Sequence, residues 1–327
     1  MHRPGASRSS FVTARRWHGR GALFTALVLV AANVASAEAG GAPAAPAPAD
    51  PGTVTAPLLG TVDVEARRQR EALEQQVDAY VVGVVGNALH EGLARWHRRV
   101  CPLVAGLPKE QGEFVLARLS EVARAAQVPL AGERCRPNLY VVVAREPGAL
   151  LKRWRKRDRL LFDFAVGEGA IRRFMESPQP VRVWYSTMAS AEDGLPAALE
   201  SLPLDGPGLG WSQAPVNRIP IGTRIARPVI QNIASVIAVV DAARVEGLTI
   251  GQLADYLAMV AFVDVRGEGR VGAAPSILSL FTADPAARPA ALSTWDQALM
   301  QALYATRQAS ITQVSAIEAL VVNRIAP

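Results

Sequence analysis

The sequence predicts an α+β fold, a mixed sheet with packed helices, in a chain addressed for export. Three observations carry that expectation. Short β-branched runs alternate with helix-period segments between residues 98 and 187. A continuous apolar run at 235–241 feeds a long amphipathic segment. The N-terminus has the layout of a secretory signal.

Arg3, Arg8, Arg15, Arg16 and Arg20 precede an uncharged, mostly apolar run at 21–34, closed by Ala35-Ser36-Ala37. A basic region, a short apolar core and a small-x-small end make an export signal over 1–37. The apolar run is shorter than the ~20 residues of a membrane-spanning helix, and no later segment qualifies. No cysteine stands near the cleavage site, so no lipid anchor is expected. The expected location is the periplasm or the extracellular space.

Loss of the signal changes the charge. The whole chain has 35 Lys+Arg against 29 Asp+Glu; five Arg and no acid leave with residues 1–37, so 30 face 29. Nucleic-acid binding needs a basic surplus on one face, and none is expected here. Cys101 and Cys135 are the two cysteines, both in the exported part. An even count in an oxidising compartment predicts one disulfide.

Residues 38–60 are an Ala/Pro-rich spacer, too poor in large apolar groups to fold. The body, 61–327, reads as a single domain: an N-terminal helix region at 61–97, a sheet-forming half at 98–187, a Gly/Pro/Ser-rich insertion at 188–220, and a helix-rich half at 235–327. Leu73, Val77, Tyr80, Val81 and Val84 recur at helical spacing over 61–88. A buried strand is expected at 100–107, a helix at 110–126 and a strong β-branched strand at 138–144. Strand, helix and strand with a crossover imply a parallel pair, and a Cys101–Cys135 bridge would staple the neighbouring strand starts.

A helix follows over 147–157, with Pro147 in its first turn. Its end opens the most basic run of the exported part, 152–159, which reads either as a solvated helix end offsetting the dipole or as an anionic-surface patch. Gly167-x-Gly169 reads as a plain turn, or as an anion cradle at a helix start. The strand at 181–187 carries Trp184 and Tyr185 side by side, facing opposite sides of the sheet. One belongs in the core and the other is a candidate groove residue.

The helix-rich half begins with the strand 235–241 and the helix 249–263. A Gly267-Glu268-Gly269 turn, a Ser276-Ile277-Leu278 turn and a last helix at 294–307 follow. Ser293 and Asp296 form a capping-box-like start for that helix. This order resembles the metzincin-like zincins, and the matrixin type most closely. There an apolar approach enters a helix bearing H-E-x-x-H-x-x-G-x-x-H, a tight Ser-x-Met turn follows, and a final helix reads L-S-x-x-D-x-x-x-I-x-x-L-Y-G. Here Leu278 stands for the turn Met, and Leu292, Ser293, Asp296, Met300, Leu303 and Tyr304 match the final helix, with Ala305 in place of Gly. The 98–144 region also looks like the start of a zincin sheet. The chain is further similar to exported bacterial proteins of unassigned function. The resemblance implies a zincin-like fold over about 98–308.

The resemblance does not extend to the reaction. Gln252 and Tyr256 occupy the helical His positions and Leu253 the Glu position. Without these groups there is no Lewis acid and no base to activate a zinc water. After residue 37 only His90 and His97 remain, so a three-His zinc site cannot be assembled. Asp255 and Asp264 read as ordinary helix-surface and loop carboxylates, or as a pair flanking a cleft that holds a hard cation. No G-x-S-x-G, P-loop or H-E-x-x-H string occurs.

The expected function is a non-catalytic binding or scaffold protein of the cell envelope, with no cofactor and no metal. Its binding cleft would be built from Gln252, Asp255 and Tyr256 with Trp184 or Tyr185, and its partner would be an envelope protein or ligand. The alternative is a hydrolase working through carboxylates or another site that no motif marks.

Overall fold

A computed structural model describes residues 59–86, 92–157, 162, 167–191, 198–203, 211–216, 229–266 and 271–326. The expected export signal, nearly all of the Ala/Pro spacer, His90, residues 158–159 of the basic run, the Gly267–Gly269 turn and much of the 188–220 insertion lie outside the described residues. In chain order the elements are α1 (Leu59–Val85), β1 (Arg95–Trp96), β2 (Pro102–Ala105), α2 (Lys109–Ala125), β3 (Leu139–Ala144), α3 (Pro147–Arg157), α4 (Glu168–Glu176), β4 (Val181–Ser190), β5 (Ala198–Pro203), β6 (Trp211–Val216), β7 (Ile230–Asp241), α5 (Ile250–Phe262), α6 (Thr294–Ala305) and α7 (Gln313–Ile325). They belong to one unit, Pro57–Pro327.

β7 organises the sheet. On one flank it pairs in parallel with β3, from Leu139↔Val236 to Ala144↔Asp241, and with the short β1 at Arg95↔Asn232 and Trp96↔Ile233. On the other it pairs antiparallel with β4, from Val181↔Val240 to Ser190↔Ile230, with a register shift between Ser186 and Thr187. β2 lies beyond β3, parallel to it. The sheet is therefore mixed and mostly parallel, with helices on both faces, and the fold is α+β.

Period-2 alternation along β7 supplies both cores. Val236, Ala238 and Val240 enter the main core, shared with α1, α2, α5, α6 and α7. Ile237 and Val239 enter a second core beneath α3 and α4, with Leu151, Phe162, Phe174 and Trp184. A strand covered on both faces has to be apolar throughout, which explains the unbroken run that the sequence displays.

Three differences from expectation have physical causes. β2 is a half-exposed strand of four residues rather than a buried run, and Leu103 is 41% exposed, because β2 is the outermost strand of its flank. The sequence predicts no helix at α7, and at α4 it offers a helix start only as the alternative to a plain turn. α4 starts directly after Gly167 and turns Ile171, Phe174 and Met175 inward, so the Gly167-x-Gly169 segment is a helix start. Within the 188–220 insertion, β4 continues to Ser190 and β5 pairs antiparallel with β6 from Ala198↔Val216 to Pro203↔Trp211.

The Cys101–Cys135 disulfide is formed, with Cα atoms 5.9 Å apart. It joins the start of β2 to the segment leading into β3, where Asn138 Oδ1 also accepts from Cys101 N at 2.7 Å. Closing a loop of this length contributes about 3.5 kcal/mol in the chain-entropy model. At the other end of β2, Gly106 turns the chain with φ +85°, and a Cβ there would lie 2.0 Å from Val143 O. Only glycine fits. No helix among the described residues is long and apolar enough to cross a membrane.

Candidate functional site

Helix α5 begins with a capping box. Thr249 Oγ1 accepts from Gln252 N at 3.1 Å, and Gln252 Oε1 accepts from Thr249 N at 3.0 Å. This satisfies two of the amides that a helix start leaves unpaired. The Gln252 side chain also donates from Nε2 to Pro289 O at 2.9 Å. Gln252 thus fastens α5 to the 289–292 segment.

One residue short of a full turn further on, Asp255 is 3% exposed. Its Oδ1 receives Arg118 Nε from α2 at 2.5 Å; its Oδ2 receives Arg118 Nη2 at 3.2 Å and Leu292 N at 2.8 Å. The pairing is a two-pronged guanidinium–carboxylate contact. Arg118 also donates to Glu121 at 2.9 Å. Hydrogen bonding to Asp255 holds the guanidinium above its ordinary range, against the opposing effect of partial burial. The Arg118 side chain is 27% exposed against 4% for Asp255, so the pair meets solvent from the arginine side.

Two open hollows flank this pair. One, of ≈ 280 Å³, is lined by Arg118, Glu121, Val122, Leu292, Gln297, Met300 and Gln301. The other, of ≈ 360 Å³, is lined by Phe114, Ala117, Arg118, Gly251, Asp255, Ala290 and Ala291. The α2 contributions, 114, 117, 118, 121, 122, 125 and 126, recur at three and four residues and so share one side of the helix. Together they form a groove along α2, roughly 18 Å long at 1.5 Å per residue, with Arg118 at its waist. Phe114 stands at one end, 46% exposed.

The other expected site residues serve different contacts. Tyr256 packs edge-on against Phe281, ring centres 4.8 Å apart, and burial pushes its phenol up to about 12. Tyr185 donates to Val260 O at 2.7 Å and accepts from Val265 N at 3.3 Å, clamping the C-terminal end of α5. Burial first, then the charge of Asp264, raises its pKa well above the ordinary tyrosine value. Trp184 is on the opposite face, edge-on to Phe162 at 5.5 Å. The adjacent pair thus faces opposite sides of the sheet. The five residues expected to build one cleft are spread over separate packing contacts, and of them Asp255 lines the groove.

The residues that carry the matrixin resemblance have packing roles. Asp296 is fully buried and accepts from Tyr80 Oη at 2.9 Å, Ser276 Oγ at 2.5 Å, Ile277 N at 2.8 Å and Ser293 N at 2.9 Å. Burial, then the Asp296 charge, raises Tyr80 well above the ordinary tyrosine value. Met300 and Leu303 are each 1% exposed, and Tyr304 donates to Phe262 O at 2.9 Å. Arg95 Nη1 reaches the carbonyls of Leu303, Tyr304 and Thr306, a cation at the α6 C-terminus.

Sequence reasoning did not find Arg118, Glu121, Gln297 or Phe114. Arg118 carries one faint local signal: it interrupts the apolar side of α2 between Val115 and Leu119. Among the described residues no three His, Cys, Asp or Glu side chains cluster closely enough to share a metal ion. No family model, no curated protein and no solved structure matches the chain.

Proposed function

We propose that the protein is an exported, non-catalytic binding or scaffold protein of the cell envelope, on a metalloprotease-like fold that lacks the zinc ligands. The observation that carries this reading is the groove along α2. Its charged groups are engaged with one another: Arg118 holds both Asp255 and Glu121, and Asp255 also caps Leu292 N. A general base needs a lone pair aimed at the proton it removes; the Asp255 oxygens are aimed at its own partners instead. The remaining lining, Phe114, Ala117, Ala125, Ala290, Gln297 and Gln301, offers apolar area and neutral amides. That composition suits a peptide segment held by side-chain packing and hydrogen bonds.

The order of elements supports the fold assignment. Strand β7 leads to α5, then to the turn at Ser276 and the capped α6, with Gln252, Leu253 and Tyr256 at the ligand and base positions.

The test is selection of binding peptides from envelope-protein sequences, followed by affinity measurements on two groove-filling variants. Gln297→Trp occupies one hollow and Ala290→Trp the other, and both sites are exposed. Each is expected to weaken binding by roughly tenfold or more while leaving thermal unfolding unchanged. Peptides that bind both variants as tightly as the unaltered protein would place the binding face elsewhere.

A further inference from the structure

Helices α3 and α4 lie antiparallel over the second core. At one end Arg155 pairs with Glu168; at the other, Gly148 approaches the Met175 carbonyl. Their inward and outward positions separate cleanly. On α3, Pro147 and Leu151 are buried and Leu150 and Trp154 pack on the core, while Lys152, Arg153, Lys156 and Arg157 are exposed. On α4, Ile171, Phe174 and Met175 point inward, while Arg172 and Arg173 are exposed. Four outward cations on α3 and a pair on α4 therefore lie side by side on a platform roughly 16 Å long.

Among the described residues, the charge on these two helices is not matched locally. The two helices carry seven basic residues against Glu168 and Glu176, and Glu168 is engaged by Arg155. The rest of the chain after residue 37 holds 23 basic against 27 acidic residues. The positive surplus is thus concentrated on one face of a near-neutral exported chain. Like charges at these spacings repel along a helix, and a plane of negative charge cancels that repulsion. Two helices side by side form a platform rather than a cradle, which fits an extended charged surface better than a single small anion.

We propose that the α3–α4 face adsorbs to anionic phospholipid membrane surfaces. The apolar sides of both helices are consumed by the second core, so contact is electrostatic, at headgroup level, with no insertion. Lys152, Arg153, Lys156, Arg157, Arg172 and Arg173 supply the attraction. Each base near such a surface contributes about fivefold to partitioning, and the effect decays within a Debye length.

The experiment is co-sedimentation with vesicles of phosphatidylcholine alone or with 30% phosphatidylglycerol. It uses the chain from Glu38 onward, so that the apolar N-terminal run cannot contribute; this chain retains the whole unit Pro57–Pro327. Binding is expected to the anionic vesicles alone and to fall more than roughly tenfold between 50 and 500 mM salt. Lys152→Gln/Arg153→Gln/Lys156→Gln/Arg157→Gln should reduce partitioning at least about a hundredfold. A control removing four exposed cations elsewhere, Arg67→Gln/Arg68→Gln/Lys109→Gln/Arg124→Gln, should reduce it far less. Circular dichroism confirms that both variants fold. Equal losses in the two variants, binding to neutral vesicles, or displacement by millimolar inorganic phosphate would overturn the proposal. So would tighter binding to heparin or DNA than to anionic vesicles, which would assign the face to a soluble polyanion.

Discussion

Asp255 and Asp296 stand on consecutive helices and are both buried, yet they are held in different ways. Asp296 accepts from neutral donors: a tyrosine, two serines and two backbone amides. Its charge is offset by amide dipoles at the start of α6 and of the 3-10 turn Ile277–Phe281. Asp255 instead takes a guanidinium that reaches into solvent, plus one backbone amide. The first arrangement locks α1, the 276–281 turn and α6 into one frame. The second draws α2 against α5 at the point where the groove opens. A buried carboxylate with neutral partners builds architecture, whereas one with a half-exposed cation also shapes a surface.

The largest effect expected is at Asp296. Asp296→Ala strands Tyr80, Ser276 and the Ile277 amide in the core and should cost about 4 kcal/mol in denaturant unfolding. Adding Tyr80→Phe should restore little, because the Ile277 and Ser293 amides cannot be removed. The Arg118–Asp255 pair should behave differently. Arg118→Ala leaves Asp255 without its cation and should cost about 3 kcal/mol, whereas the double replacement Arg118→Met/Asp255→Leu should recover all but the roughly 1–2 kcal/mol of the Leu292 amide it leaves unpaired. Similar recovery in both cases would erase the distinction drawn between the two carboxylates.

A third carboxylate provides the smallest effect. Glu318 on α7 faces another carboxylate: burial, then the charge of Asp78 on α1 and a hydrogen bond with it, raises its pKa. A carboxyl whose folded pKa lies above its unfolded value favours folding most strongly below the unfolded value, and that contribution is lost as pH rises through the folded one. Glu318→Gln should therefore stabilise the protein at pH 7 by at most about 0.5 kcal/mol, since the site is partly solvated. The gain should vanish below roughly pH 4, where Glu318 itself is protonated. A gain that persists in acid would mean that the amide is forming a new contact.

The comparison also explains which parts were legible in the sequence. Patterns carried by one segment were readable. The apolar run at 235–241 marks a strand, which the structure begins earlier, at Ile230, and Pro147 marks the first turn of α3. Ser293 and Asp296 announced a helix start, and the structure adds that the same carboxylate anchors a distant turn. Gln252 was assigned to a cleft because it occupies a His position of the zincin pattern, although Thr249-x-x-Gln252 is itself a capping signature. The α4 stripe of Ile171, Phe174 and Met175 was masked by the glycines at its start. Arg118 and Asp255 are 137 residues apart, and no local period connects them. The groove they define follows from how α2 packs on α5, which no single segment encodes.

On the proposed non-catalytic reading, the polar residues around α5 and α6 hold the structure together rather than carry a reaction. This is tested most directly by incubating the purified protein with a mixed peptide library in the presence of zinc, with and without chelator, and measuring cleavage by mass spectrometry. No cleavage above that of heat-denatured protein is expected in either condition. Chelator-sensitive turnover that disappears in a folded Asp255→Asn variant would contradict it.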